Sequence, residues 1–207
     1  MEAGSPVALR AREQEVSITF SSSYGSSHRQ LCPEKLFNAI NERQGVYYDD
    51  LIASEKDLDI LRETDEEFDK GNSMYFVRLL EKDASIALRI RAVCILAEIG
   101  DEESVPILSK VIKDDPNPLV RHEAAFTLGQ LGYFSGVPAL IGGMLNDDNI
   151  LVRHEAAVAL GSIGDQSARE SLMQATKDPD EFVRQSAIVA LLNLDYLKSA
   201  SKIVQKA

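Results

Sequence analysis

The sequence predicts an all-α solenoid of stacked helical hairpins, and three observations carry that reading. One phrase recurs: RIRAVCILAEIG from Arg89, RHEAAFTLGQLG from Arg121, RHEAAVALGSIG from Arg153 and RQSAIVALLNLD from Arg184, at spacings of 32, 32 and 31 residues. Each of the last three is preceded by a second short apolar segment, VPILSKVI (105–112), VPALIGGML (137–145) and ARESLMQAT (168–176). Between the two lies a polar break, Asp114-Asp115-Pro116, Asp147-Asp148-Asn149 or Asp178-Pro179-Asp180. Two helices per unit at a period near 32 describe a repeat that cannot bury its apolar stripes alone and must stack on its neighbours.

The elements follow in order. Residues 1–32 hold a serine cluster (Ser21, Ser22, Ser23, Ser26, Ser27) and little apolar content, which predicts a disordered segment with a short extended run over Val16 to Phe20. Residues 33–70 form an acidic helical segment: 34–43 carries Leu36, Phe37 and Ile40, and 47–69 carries Leu51, Leu58, Leu61 and Phe68. From Asp49 to Asp69 there are ten acids against Lys56 and Arg62. Such a run is either a solvated face or a docking surface for a basic partner. The repeat domain covers 71–207, with units at 72–100, 101–132, 133–164 and 165–194 and a capping helix over Tyr196 to Val204. Asp and Asn in the breaks start helices by accepting from their unpaired N–H groups. Gly100, Gly132 and Gly164 end the long helices.

Composition narrows the function classes. The 207 residues are 44% apolar and 27% charged, ordinary for a folded chain. A net charge of −11 repels phosphate backbones, so nucleic acid is not an expected partner, and a basic partner is. No apolar run reaches the ~18 residues of a membrane span, and the N-terminal stretch lacks the apolar core of a secretory signal. Cys32 and Cys94 give neither a disulfide framework nor a zinc-finger spacing. The expected compartment is the cytoplasm.

A helical wheel separates the second helix of each middle unit into two faces. Val120, Ala124, Leu128 and Leu131 form one stripe, as do Val152, Ala156, Leu160 and Ile163. His122-Glu123 and His154-Glu155 fall on the opposite half, in register on neighbouring units, which predicts that they project from the inner helices onto a shared surface outside the core. The flanking units carry Ile90-Arg91 and Gln185-Ser186 there. Gly129 and Gly161 lie seven residues after each histidine, where glycine costs about 1 kcal/mol relative to alanine. They either make space beside the imidazoles or let neighbouring inner helices pack closely.

Two imidazoles and two carboxylates on one face suit iron, zinc or manganese, and inner helices ~8–10 Å apart bring such side chains within reach of one ion. His122, Glu123, His154 and Glu155 are therefore the candidate metal ligands. The competing reading is a His–Glu hydrogen-bonded ladder with Arg121 and Arg153 as its ion-pair partners. No catalytic residue is assigned and no phosphate loop is present, since Gly142-Gly143 sits inside a helix. Cys94 reads as a buried packing residue, and Cys32 and His28 as loop residues without a role.

The repeats resemble the HEAT-like units named after phycobilin lyases, over about residues 72–194. The paired phrases RHEAAFTLGQLG and RHEAAVALGSIG resemble deoxyhypusine hydroxylase, an iron-dependent monooxygenase built of HEAT-like repeats in two symmetric halves, with His-Glu in the two middle repeats of each half and a di-iron centre between them. The resemblance implies iron as cofactor, His122, Glu123, His154 and Glu155 as iron-binding dyads, and a lysine-derived substrate. This chain corresponds to one half, and a homodimer would rebuild four dyads. Two other readings stand beside this one: a non-catalytic HEAT-repeat scaffold for a basic protein, and a bilin-lyase-like protein.

Overall fold

A computed structural model describes residues 54–81 and 84–204. The disordered segment expected over 1–32, and the helix expected over 34–43, lie outside those residues, as do Cys32 and His28. Among the described residues there are helices and turns and no strand. The order is α1 (Glu55–Asp69), α2 (Ser73–Leu80), α3 (Ile86–Ile99), α4 (Val105–Asp114), α5 (Pro118–Leu131), α6 (Val137–Asn146), α7 (Ile150–Ile163), α8 (Arg169–Ala175) and α9 (Glu181–Val204).

The sequence breaks become helix starts by a specific division of labour. The side chains of Asn117 and Asn149 accept from the backbone N–H of Leu119 at 2.9 Å and of Leu151 at 2.8 Å, so asparagine, not the preceding aspartate, is the N-cap. Asp180 does the same for Phe182 at 2.8 Å. Helix α1 starts on a reciprocal cap between Ser54 and Asp57. At the other ends, Gly132 and Gly164 adopt φ of +74° and +75°, the left-handed turn that glycine alone enters without strain. Gly100 also ends its helix, but in extended backbone with φ −70°, so its unit closes without that turn.

The hairpins stack in two layers. Helices α3, α5, α7 and α9 lie side by side as the inner layer, and α2, α4, α6 and α8 form the outer layer, each on its own inner helix. The acidic helix α1 packs mainly on α3. Phe76, Leu96, Leu108, Leu128, Leu140, Met144, Leu160, Leu172 and Leu194 fill one continuous core between the layers. The stripe expected from the wheel is buried at Val120, Ala124 and Leu128 and at Val152, Ala156 and Leu160, while Leu131 and Ile163 are half-buried at the helix ends.

The cap expected over 196–204 is not a separate helix but the continuation of α9, which runs for 24 residues. Units one to three carry glycine after the last apolar residue of the inner helix, and unit four carries Asp195, which does not stop a helix. Ile188, Val189, Leu192 and Tyr196 stay exposed along this last helix.

Neighbouring units are tied by a second device. Arg89 and Asp115, Arg121 and Asp147, and Arg153 and Asp178 pair through two parallel hydrogen bonds each, at 2.7–3.2 Å. The same arginines donate to the carbonyls of Ala84, Asp115 and Asp147. The aspartates are nearly enclosed, their side chains 6–9% exposed, and each also accepts from a backbone N–H two residues on, at 2.8 Å. Such planar two-bond pairs fix orientation as well as charge. Arg121 and Arg153, read from sequence as partners of a His–Glu ladder, are thus committed to the loops of the following units.

Candidate metal centre

The two His-Glu dyads come from the same place on α5 and α7, and their register decides who meets whom. Because the inner helices lie side by side, the histidine of one unit faces the second dyad position of the next. His122 Nε2 lies 3.5 Å from Glu155 Oε2 and its Nδ1 lies 3.3 Å from Glu123 Oε1. His154 Nδ1 lies 2.6 Å from the Oγ of Ser186, the unit-four counterpart of Glu155. The His154 ring stacks on Phe182, centroids 3.9 Å apart and planes 21° from parallel. The structure therefore brings His122, Glu123 and Glu155 into one cluster, and links His154 to α9.

His122 is not on an open surface. It is 9% exposed and counts among the buried polar residues, against the wheel's expectation that the dyads lie outside the core. The wheel sees one buried stripe per helix, whereas α5 is covered on three sides. Its apolar stripe faces the outer layer, Thr127 donates to the carbonyl of Val93 on α3 at 3.1 Å, and Gly129 abuts α7.

The glycines decide between their two readings. A Cβ placed on Gly129 would lie 2.8 Å from the Cβ and 3.0 Å from the Cα of Ala159, and one on Gly161 would lie 2.8 Å from the Cα of Ala190. Both positions are filled by an alanine of the next inner helix, its Cα and its methyl together. Close helix approach, not room beside the imidazoles, is what Gly129 and Gly161 provide.

Electrostatics follow from the enclosure. Burial alone would favour the neutral imidazole, but hydrogen bonds and charge from Glu123 and Glu155 prevail and raise the His122 pKa from 6.5 to about 10. His122 is accordingly an imidazolium between two carboxylates at neutral pH. Cys94 lies at the edge of this cluster, half-buried rather than in the apolar core, its Sγ donating to Glu123 Oε2 at 3.8 Å. Burial first, then the Glu123 charge, pushes the thiol up to about 12, so it stays protonated and inert as a nucleophile.

The donor types at the centre fit iron, zinc or manganese. Their arrangement is hydrogen-bonded: among the described residues no three His, Cys, Asp or Glu side chains are disposed to share one ion. A metal here would compete with the His122 proton for the same lone pair. A groove elsewhere, lined by Ser109, Lys113, Pro138 and Gly142, lies between outer helices α4 and α6, away from the dyads. Among the described residues no helix is long and apolar enough to cross a membrane.

Sequence reasoning missed Ser186 and Phe182. The available signal was register: Ser186 follows Glu155 by 31 residues, the spacing that carries one dyad position into the next unit.

Comparison with known proteins places these observations. The family description "HEAT repeats" matches residues 75–149 and 137–206. Among solved structures, human deoxyhypusine hydroxylase in complex with glycerol is similar, with a TM-score of 0.56 and 31% sequence identity. The match covers 60% of this chain and 44% of that one, so this chain spans less than half of the enzyme it resembles. No curated protein matches.

Proposed function

From the premise that this chain belongs to the HEAT-repeat family, we propose that it is an iron-binding repeat protein, one half of a deoxyhypusine-hydroxylase-like monooxygenase centre. His122, Glu123, His154 and Glu155 would hold the metal. The observation that supports this most directly is the meeting of the two dyads across α5 and α7, with His122 Nε2 3.5 Å from Glu155. The 31% identity to a hydroxylase of the same fold supports it further.

Each residue has a role that follows from its place. Glu123 and Glu155 keep negative charge at a nearly enclosed point, which favours a cation, whether proton or metal. His122 must give up its proton before it can ligate, so loading should be steeper at higher pH. The Arg–Asp pairs and the glycine contacts hold α5 and α7 at fixed separation, and the dyad side chains would have to turn from their present hydrogen bonds to share an ion. Iron, if bound, would supply the redox chemistry by which one atom of dioxygen enters a C–H bond while the other leaves as water, with two electrons from an external reductant. Two dyads offer at most four ligands, and a second copy of the chain would complete a di-iron set. A net charge of −11 suits a basic, lysine-derived substrate.

Iron counted per chain after ferrous reconstitution, with molecular mass in solution measured alongside, tests the proposal. At least about half an equivalent of iron per chain, a metal-linked rise toward dimer mass and loss of both in His154→Ala are expected. No transition metal retained would end the reading. In that event the exposed apolar run of Ile188, Val189, Leu192 and Tyr196 on α9 favours the second reading, a HEAT-repeat interaction module without chemistry.

A further inference from the structure

The two ends of the described helix array are finished differently. At one end α1 packs on α3 and turns Asp59, Glu63 and Glu66 to solvent on the stripe opposite its half-buried Ile60 and buried Thr64. At the other end α9 leaves Ile188, Val189, Leu192 and Tyr196 exposed on one stripe, at 48–69% each. Large apolar side chains exposed singly are ordinary, but four on one face of one helix mark a contact surface.

That stripe is the stacking face of the repeat, one unit on. Val93, Ala125 and Ala157 hold the place of Ile188 and are fully buried. Ala97, Gly129 and Gly161 hold the place of Leu192. On α5 and α7 the glycine seats an alanine of the next inner helix, 2.8 Å from where its own Cβ would stand. Leucine fills that seat, so a further unit of this repeat could not close on α9 as the others close. A face of projecting side chains fits a helix that meets it side chain to side chain, at the ~8–10 Å of ordinary helix pairs.

The order of residues along the stripe identifies that helix. Ile188 and Tyr196 stand four residues either side of Leu192, and Gln185 and Ser199 seven either side. Laid antiparallel on its own copy, α9 sets apolar against apolar and polar against polar, the self-complementarity a two-fold interface requires. Val189 lies on one flank of Leu192, and Asp195 on the other is already paired with Arg169. A head-to-tail contact would instead press the apolar stripe onto the acids of α1 and strip them of water. We propose that α9 pairs antiparallel with α9 of a second copy of this chain, about a two-fold axis at Leu192. The pairing stands whether or not the dyads hold metal. One helix pair over 24 residues, ~36 Å long, lies at the small end of stable interfaces, so the dimer should dissociate on dilution.

The test is the molecular mass of the full chain in the presence of chelator, by sedimentation over a hundredfold range of concentration. Wild type should move from monomer toward dimer mass as concentration rises. Leu192→Glu and Leu192→Arg should both stay monomeric with unchanged helix content, since an exposed side chain contributes little to the fold. A net-charge effect alone would move the two variants in opposite directions. Under mild oxidation Leu192→Cys should cross-link to its own copy beyond the wild-type level. Gln185→Cys should not, because its copies lie ~21 Å apart along an antiparallel pair. Wild type that is monomeric at every concentration overturns the proposal, whatever else covers the stripe. A dimer that survives both charged variants overturns it too, as does cross-linking of Gln185→Cys equal to that of Leu192→Cys. Failure of the metal reading is read separately, from ferrous iron added to Leu192→Arg, where no α9 pairing contributes to the mass.

Discussion

Arg121 and Asp147, 26 residues apart, meet edge to edge: Nε and one terminal nitrogen of the guanidinium donate to the two carboxylate oxygens at 2.7 and 2.8 Å. The same fork recurs one unit earlier and one unit later, which makes it a property of the repeat. Its enclosure decides its worth, since exposed ion pairs contribute little and enclosed ones cannot lose a partner cheaply.

Asp147→Ala should therefore cost about 1–3 kcal/mol in urea unfolding, because it takes both fork bonds from the enclosed Arg121, leaving it the exposed Asp148, and removes the acceptor of the Asn149 N–H. Asp59→Ala, which breaks the exposed Arg62 pair, should stay within about 0.5 kcal/mol of wild type. Equal costs for the two would show that the fork does not tie the units.

Two glycines inside helices should respond oppositely to alanine. At Gly161 the new methyl meets the Cα of Ala190, and backbone cannot step aside, so Gly161→Ala should destabilise by about 1–3 kcal/mol. Nothing lies within 4 Å of a Cβ at Gly142, and Gly142→Ala should stabilise by up to about 1 kcal/mol. Denaturation midpoints of the pair separate close approach from a general glycine effect.

The pH dependence of stability should carry the mark of His122. Its folded pKa of about 10 lies above the unfolded value of 6.5, so the folded state holds the proton more tightly. That contribution is fully present below pH 6.5 and is lost as pH rises through about 10, amounting to a few kcal/mol. Metal-free wild type should lose stability across this window relative to His122→Gln. Parallel profiles for the two proteins would contradict the clamp by Glu123 and Glu155.

Leu128→Ala should cost about 2–5 kcal/mol, as the loss of a fully buried side chain does. His122→Ala should cost more at pH 6 than at pH 10, because at pH 6 it strands two carboxylates that had shared a cation. A wheel alone would have assigned His122 a small cost at every pH.

Much of the fold was legible in the chain because a repeat writes its signals several times. The 32-residue period, the left-handed stops at Gly132 and Gly164 and the stripe through Ala124 and Leu128 are all local, and local pattern is what a sequence displays. The site was legible only in part. His122 and Glu155 could be placed in register, but not the enclosure of His122, which depends on three neighbouring helices at once. The Arg–Asp forks were missed because each joins one unit's helix to the next unit's loop. The separate cap was expected because the unit boundary was carried past Leu194, where no glycine stands.

Gly129 and Gly161 set one further consequence. Where Ala159 and Ala190 meet these positions, the gauge of α5 against α7 and of α7 against α9 is set by glycine against alanine, with no long side chain between them. The polar rungs therefore hang on a frame whose pitch they do not determine. Changes at His122, Glu123, His154 or Glu155 should therefore show in charge balance and stability more than in the spacing of α5, α7 and α9. The scaffold thus sets the spacing of that face apart from the chemistry the face carries.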